Sequence, residues 1–86
     1  MYIHLGNETV IKSSDVIGIF DLDSTTVSKN TRIFLSKAEK KKEVVNVSYE
    51  LPKSFILCSK KKKNKVYISQ ISSVTLRKRS GFIDTL

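Results

Sequence analysis

The sequence has little of several residue types, and each shortage excludes a class of protein. It contains one cysteine, one proline and no tryptophan among 86 residues. Because Cys58 is alone, no intramolecular disulfide can form, and a reducing cytoplasm fits best. The chain has no charged-then-apolar leader of the kind that directs secretion. No apolar run approaches the roughly 18 residues of a membrane span, so we expect a soluble, cytoplasmic protein.

Motifs for catalysis and for cofactors are also missing. The sequence has no P-loop, no Gly-x-Gly-x-x-Gly and no nucleophile elbow. His4 and Cys58 would have to meet across the fold to form a catalytic pair, and a structural histidine with a buried thiol is favoured instead. Asp21 and Asp23 have no third ligand nearby in sequence, so helix capping is favoured over a metal site. We predict no enzymatic activity, no metal and no cofactor.

Positive charge is abundant and unevenly distributed. The chain carries 16 lysines and arginines against 8 acidic residues, a net charge of +8. Residues 1–43 hold seven basic and six acidic side chains, whereas residues 44–86 hold nine and two. Such an excess favours an anionic partner, nucleic acid in particular. A single domain of this size has a modest core, which self-association would help to stabilise.

The apolar pattern predicts six strands in two groups. Alternation in residues 2–5 ends at Gly6-Asn7, a turn pair, and predicts a hairpin with residues 9–12. The apolar run at 16–22 predicts a buried central strand. Three further strands are predicted at 44–50, 54–59 and 65–71, and Leu51-Pro52 ends the first of them.

Between the two groups the period changes from two residues to that of a helix. From residue 26 to about residue 41 an apolar stripe is formed by Val27, Thr31, Phe34, Leu35 and Ala38. Candidate N-caps are Asp23, Ser24, Thr25 and Thr26. A short helical turn is expected from Ser72 or Ser73, before a partly ordered tail at 80–86. The pattern predicts one α+β domain over residues 1–79, with a small, mostly antiparallel sheet of about six strands, three on either side of one long helix.

Two basic clusters are candidate phosphate contacts. Lys60–Lys63 and Lys65 occupy a hairpin tip, where they either bind phosphate or keep the sheet solvated and discourage edge pairing. Arg77–Arg79 suits phosphate and guanine edges, although the same charges would also neutralise the last turn of a short helix. The lysines at 37 and 40–42 share their helix with Glu39 and Glu43, which favours a solvated face.

Several phrases of the sequence carry a resemblance to a known family. These are "MYIHLGNETVIKSSDVIGIFDLD", "TRIFLSKAEKK", "PKSFILCS" and "KVYISQISSVTLRKR". In this order they resemble the RemA/RemB family of bacterial extracellular matrix regulatory proteins, from residue 1 to about residue 79.

The resemblance implies a fold related to the LytTR DNA-binding domain. It also implies a ring-forming homo-oligomer that binds double-stranded DNA and regulates transcription of biofilm matrix genes. A ring would join modest basic patches into one multivalent surface. The protein would then be cytoplasmic and nucleoid-associated.

The chain departs from the RemA pattern at the expected DNA contacts. Arginines of that branch fall on Asp15 and near Leu51 and Pro52, where only Lys53 is basic. Other basic residues would then contact DNA: Lys12, Lys53, Lys60, Lys61, Lys62, Lys63, Lys65, Arg77, Lys78 and Arg79. The alternative is an oligomeric structural or protein-interaction module of the same fold that has lost DNA binding.

Overall fold

The structure, a computed structural model, describes residues 2–22 and 29–80. It is an α+β fold, as predicted. Its elements in chain order are β1 (Tyr2–Gly6), β2 (Thr9–Lys12), β3 (Val16–Asp21), α1 (Lys29–Lys40), β4 (Val44–Asn46), β5 (Ser54–Lys60), β6 (Lys63–Ser69) and α2 (Ser73–Ser80). A 3₁₀ turn at Ser13–Asp15 joins β2 to β3.

The strands form two sheets rather than one. β1 and β2 make an antiparallel hairpin, and the other four strands make a sheet in the order β3-β5-β6-β4. β4 runs parallel to β6, so the larger sheet is mixed. There are also two helices in the described ranges instead of a single long one: α1 has 12 residues, and α2, where only a short helical turn was expected, has eight.

The four-stranded sheet is covered on both faces. On one face, Leu35 and Ala38 of α1 pack with Phe55 and Val66. The opposite face is covered by the β1–β2 hairpin and α2, whose Ile3, Leu5, Ile11 and Leu76 join Ile56 and Cys58. Side chains of β5 alternate between the two clusters because successive residues of a strand point to opposite faces. In the strand order, β5 and β6 are the two central strands of this sheet.

The prediction of a buried central strand at residues 16–22 is wrong. β3 lies at the edge of the sheet, and Ile19 is its one buried side chain. The register shifts between Val16 and Gly18, and Ile17 at this irregularity is 61% exposed. Phe20 folds back over Gly18, and its ring stacks on Phe55 with the centroids 4.9 Å apart. A run of apolar residues thus reflects a bulge and an aromatic pair, not burial on both faces.

The structure also shows where some of the other predicted elements end. β4 is three residues long, shorter than the predicted strand at 44–50. After α1, Lys42 adopts a left-handed conformation (φ 59°), and the Glu43 amide donates to the Ala38 carbonyl at 2.9 Å, which is the pattern of a Schellman cap. The four predicted N-caps, Val27 and the tail beyond residue 80 lie outside the described residues.

Candidate nucleic-acid interface

Strand alternation determines on which face of the β5–β6 hairpin each lysine lies. Lys60 has the same parity as Cys58, which points to the face covered by the β1–β2 hairpin. Lys65 pairs with Cys58 across the strands, and Lys63 pairs with Lys60, so both share that face. Lys60, Lys63 and Lys65 are therefore placed side by side on one surface.

The β1–β2 hairpin completes the site from the other side. Lys12, the last residue of β2, lies across a cavity of about 500 Å³ from the β5–β6 hairpin. We call this cavity the lysine cleft: its lysines are Lys12, Lys60, Lys61, Lys63 and Lys65. Two hydrogen bonds hold the hairpin over the sheet, from Ser69 Oγ to the Leu5 carbonyl at 2.6 Å and from Asn7 Nδ2 to the Val47 carbonyl at 2.6 Å.

The tip of the β5–β6 hairpin is a two-residue turn formed by lysines alone. Lys61 and Lys62 have φ values of 50° and 66°, and the flanking Lys60 and Lys63 are paired. Positive φ at both central positions is the type I′ geometry, which matches the twist of the strands but favours Asn-Gly. Both side chains are exposed, but only Lys61 lines the cleft.

One acidic residue, Asp15, lies among the lysines. It ends the 3₁₀ turn before β3 and lines the cleft. Burial, and then the nearby charge of Asp15, raise the pKa of Cys58 to about 11. Burial, followed by the charges of Cys58 and Asp15, also raises the pKa of Tyr67. The carboxylate of Asp15 therefore acts on the floor of the cleft, where it opposes other negative charge.

In the second predicted cluster, Arg77–Arg79, the two arginines bond to backbone carbonyls of the protein. Arg77 Nη2 donates to the Ile19 carbonyl of β3 at 2.8 Å, and Arg79 Nη1 donates to the His4 carbonyl of β1 at 3.2 Å. α2 lies across these strands with Leu76 fully buried. The two arginines thus tie α2 to two strands. Neither lines the lysine cleft, and the same is true of the exposed Lys78 between them.

Lys53 lies at the opposite end of β5 from Lys60. The two positions are seven residues apart in sequence, which corresponds to about 23 Å along a strand. Its backbone amide donates to the Ser69 carbonyl at 2.9 Å, and its side chain is exposed. The loop before it exposes Tyr49 completely and Leu51 to 77%. Five of the ten predicted contact residues therefore line the cleft, and the other five do not.

The other chemical candidates are placed apart. His4 lies on the exposed side of β1, where its Nε2 is 2.8 Å from the Asn7 carbonyl, while Cys58 is in the core. Within residues 2–22 and 29–80, no three His, Cys, Asp or Glu side chains are grouped as a metal site would require. In the same ranges no helix is long and apolar enough to cross a membrane.

Sequence reasoning missed the uncharged side chains that line the cleft. Tyr2, Val10 and Tyr67 line it together with Asp15. Strand alternation predicts which face of its own hairpin each of these residues lies on. No signal in the sequence indicates that the two hairpins face each other. That arrangement depends on the packing of β1 and β2 over β5 and β6.

Comparisons with known proteins agree with the resemblance found in the sequence. The family model described as RemA-like, extracellular matrix regulatory protein A-like, matches residues 2–80. The chain is 39% identical over 83 residues to extracellular matrix regulatory protein B of Bacillus subtilis (strain 168), which covers 96% of this chain and 94% of the relative. This chain therefore belongs to the RemA-like family of extracellular matrix regulatory proteins.

Proposed function

We propose that the protein is a homo-oligomeric, DNA-binding transcriptional regulator that contacts DNA phosphates through the lysine cleft. The observation that supports this most is the convergence of five lysines from two hairpins around one cleft. Lysines at this density supply affinity without sequence choice, because phosphate contacts position a protein on DNA but do not read bases. The proposal retains the LytTR relation and the cytoplasmic, nucleoid-associated location, and it includes no enzymatic activity.

Self-association is part of the proposal because a single subunit offers a small surface. β3 and β4 each have one neighbour in the described sheet and are its edge strands, which can pair with another subunit, although the Ile19 carbonyl of β3 already accepts from Arg77. On β3 the exposed Ile17 and Phe20 add apolar area to this edge. Joined through such edges, several lysine clefts would act together, and avidity would compensate for weak individual contacts.

The test is fluorescence anisotropy with a mixed-sequence duplex over a salt series, with the mass determined by light scattering on the same sample. If all five cleft lysines neutralise phosphates, the plot of log affinity against log salt falls with a slope of about −4.5 per engaged subunit. The variant Lys60→Ala/Lys63→Ala should lower the magnitude of that slope by about 1.8 per engaged subunit.

A matched control removes the same charge elsewhere. Lys40→Ala/Lys41→Ala lowers the net charge equally, at the end of α1, which packs on the other face of the sheet. The control should keep the wild-type slope. Equal losses in both double variants would indicate attraction to net charge alone and would contradict a role for the cleft.

Asp15 provides a test in the opposite direction. Asp15→Asn removes a negative charge from the cleft, and Asp15→Arg places an arginine where the family resemblance expects one. We expect duplex affinity to rise about threefold for the first, from a charge effect of about 0.7 kcal/mol, and further for the second. Unchanged affinity in both variants would show that DNA does not approach this wall.

The alternative is an oligomeric interaction module that has lost DNA binding. Specific observations favour it: Asp15 lies among the lysines, and Tyr49 and Leu51 expose apolar surface on a loop where the family resemblance expects arginines. Such side chains are typical of protein contacts. This alternative predicts an oligomer that binds no duplex at any salt concentration, and a Tyr49→Ser/Leu51→Ser variant that loses mass or a protein partner.

A further inference from the structure

The lysine cleft has a chemical character that contact with a DNA backbone does not need. Besides its lysines, the cleft is lined by an apolar floor: Val10, which is 51% exposed, and the buried Ile11 and Cys58. Tyr2 and Tyr67 line it as well, and Tyr2 is 63% exposed. The volume of about 500 Å³ falls within the range of about 300–1,000 Å³ that is common for small-molecule sites.

We propose that this cleft binds an organic polyphosphate with a planar aromatic group, of which a nucleoside triphosphate is the simplest example. The phosphates would lie against the ammonium groups at the rim, contributed by Lys12, Lys60 and Lys63. The aromatic group would lie on the apolar floor, with the exposed ring of Tyr2 available for stacking. A purely inorganic polyanion would use the rim and leave the floor uncovered.

The charges of the cleft fix the orientation of such a ligand. Five lysines against one carboxylate leave four net positive charges around the cavity, enough to favour a polyanion. Asp15 lines the cleft together with Cys58 and Tyr67; burial first, and then the charge of Asp15, raises the pKa of Cys58, so this negative charge acts on the floor. Phosphates are therefore repelled from the floor toward the lysines. The uncharged aromatic group enters first, and an amino group on it can donate to the Asp15 carboxylate.

Nucleotide and DNA would use the same lysines. If the cleft also contacts DNA, bound nucleotide displaces the duplex and DNA binding responds to nucleotide concentration. This consequence rests on the proposed function. Nucleotide binding itself does not depend on DNA binding, because it is measured directly and in the absence of a duplex.

The experiment is calorimetric titration of the full chain with ATP, tripolyphosphate and adenosine in parallel. We expect ATP to bind about tenfold more tightly than tripolyphosphate, since stacking of a base on an aromatic side chain contributes roughly this factor. Adenosine alone should bind too weakly to detect. Tyr2→Ala, at an exposed position, should remove the advantage of ATP and leave tripolyphosphate binding unchanged, while Lys60→Ala/Lys63→Ala should weaken both polyphosphates.

The outcomes separate this inference from the proposed function. Equal affinity for ATP and tripolyphosphate, no binding of ATP, or full ATP affinity in Tyr2→Ala would each overturn the inference. Lys40→Ala/Lys41→Ala is the matched control and should bind ATP as the wild type does; a comparable loss there would also overturn it. In the duplex assay Tyr2→Ala should behave as the wild type, so failure of nucleotide binding leaves DNA binding intact. ATP binding without duplex binding would support the inference while refuting the proposed function.

Discussion

The turn at Lys61 and Lys62 offers a way to separate stability from binding. Both residues have positive φ, 50° and 66°, in a two-residue turn that favours Asn at its first position and Gly at its second. A left-handed conformation costs a residue with a Cβ atom about 1 kcal/mol or more. The double substitution Lys61→Asn/Lys62→Gly should therefore stabilise the fold while it removes two positive charges.

The magnitude follows from three contributions. Lys62→Gly relieves the backbone strain at that position, although the greater freedom of glycine in the unfolded chain offsets part of the gain. Lys61→Asn relieves less, because asparagine tolerates this region without being free of strain. Removing two of the like charges at the tip adds a few tenths of a kcal/mol to the stability at low salt. The net increase in the free energy of unfolding should be about 1–2 kcal/mol.

Urea denaturation followed by circular dichroism at one fixed protein concentration measures this effect. With a slope of about 1 kcal/mol per M of urea, the midpoint should rise by about 1–2 M. Most of the rise should persist in high salt, because only the charge contribution is screened. In the anisotropy assay the same variant should bind the duplex more weakly, with a smaller salt dependence.

Lys42→Gly is the control for this double variant. Lys42 also has a left-handed backbone, φ 59°, at the end of α1, and it lies away from the lysine cleft. Its replacement by glycine should stabilise the fold by about 1 kcal/mol and leave duplex binding unchanged. The reasoning would be refuted if Lys61→Asn/Lys62→Gly lowered the urea midpoint, or if it was more stable yet bound the duplex as the wild type does.

Two further predictions concern the β1–β2 turn and the core thiol. Gly6→Ala should lower the free energy of unfolding by about 2 kcal/mol, since φ is +117° and an added Cβ would lie 3.0 Å from the Gln70 amide; an unchanged urea midpoint would contradict this. Burial and the charge of Asp15 raise the pKa of Cys58 from 9.0 to about 11. Between these two values the folded state keeps a proton that the unfolded state releases. The free energy of unfolding should therefore fall as the pH rises from 9 to about 11. At pH 8 iodoacetamide should label the native thiol much more slowly than the urea-unfolded one, and equal rates would refute a buried, protonated Cys58.

The parts of the fold set by local pattern were predictable from the sequence. Alternation at Ile3 and Leu5 identified the first hairpin, and both side chains are fully buried. The helical stripe placed Leu35 and Ala38 against the sheet, and they pack there. These signals work because period and face are properties of one element alone.

The order of strands in the sheet was not predictable in the same way. An apolar run is equally consistent with a central strand and with an edge strand that carries a bulge. β3 is the second case, since Ile17 at the register shift faces solvent and Phe20 stacks on Phe55. Partner choice depends on contacts between residues far apart in the chain, such as Val16 with Cys58.

The two basic clusters show why charge in a sequence does not identify a binding surface. Arginine and lysine differ in what they do once the chain folds: a planar guanidinium donates in fixed directions and can satisfy a backbone carbonyl, whereas an ammonium on a flexible stem remains hydrated. The burial of Leu76 fixes α2 so that Arg77 and Arg79 reach carbonyls of β3 and β1. Replacing either arginine therefore perturbs the attachment of α2 as well as the charge, and a loss of DNA binding in such a variant would not distinguish the two causes. The side chains of the cleft lysines are exposed, so replacement by alanine leaves the core intact. They are the residues at which a binding measurement tests binding alone.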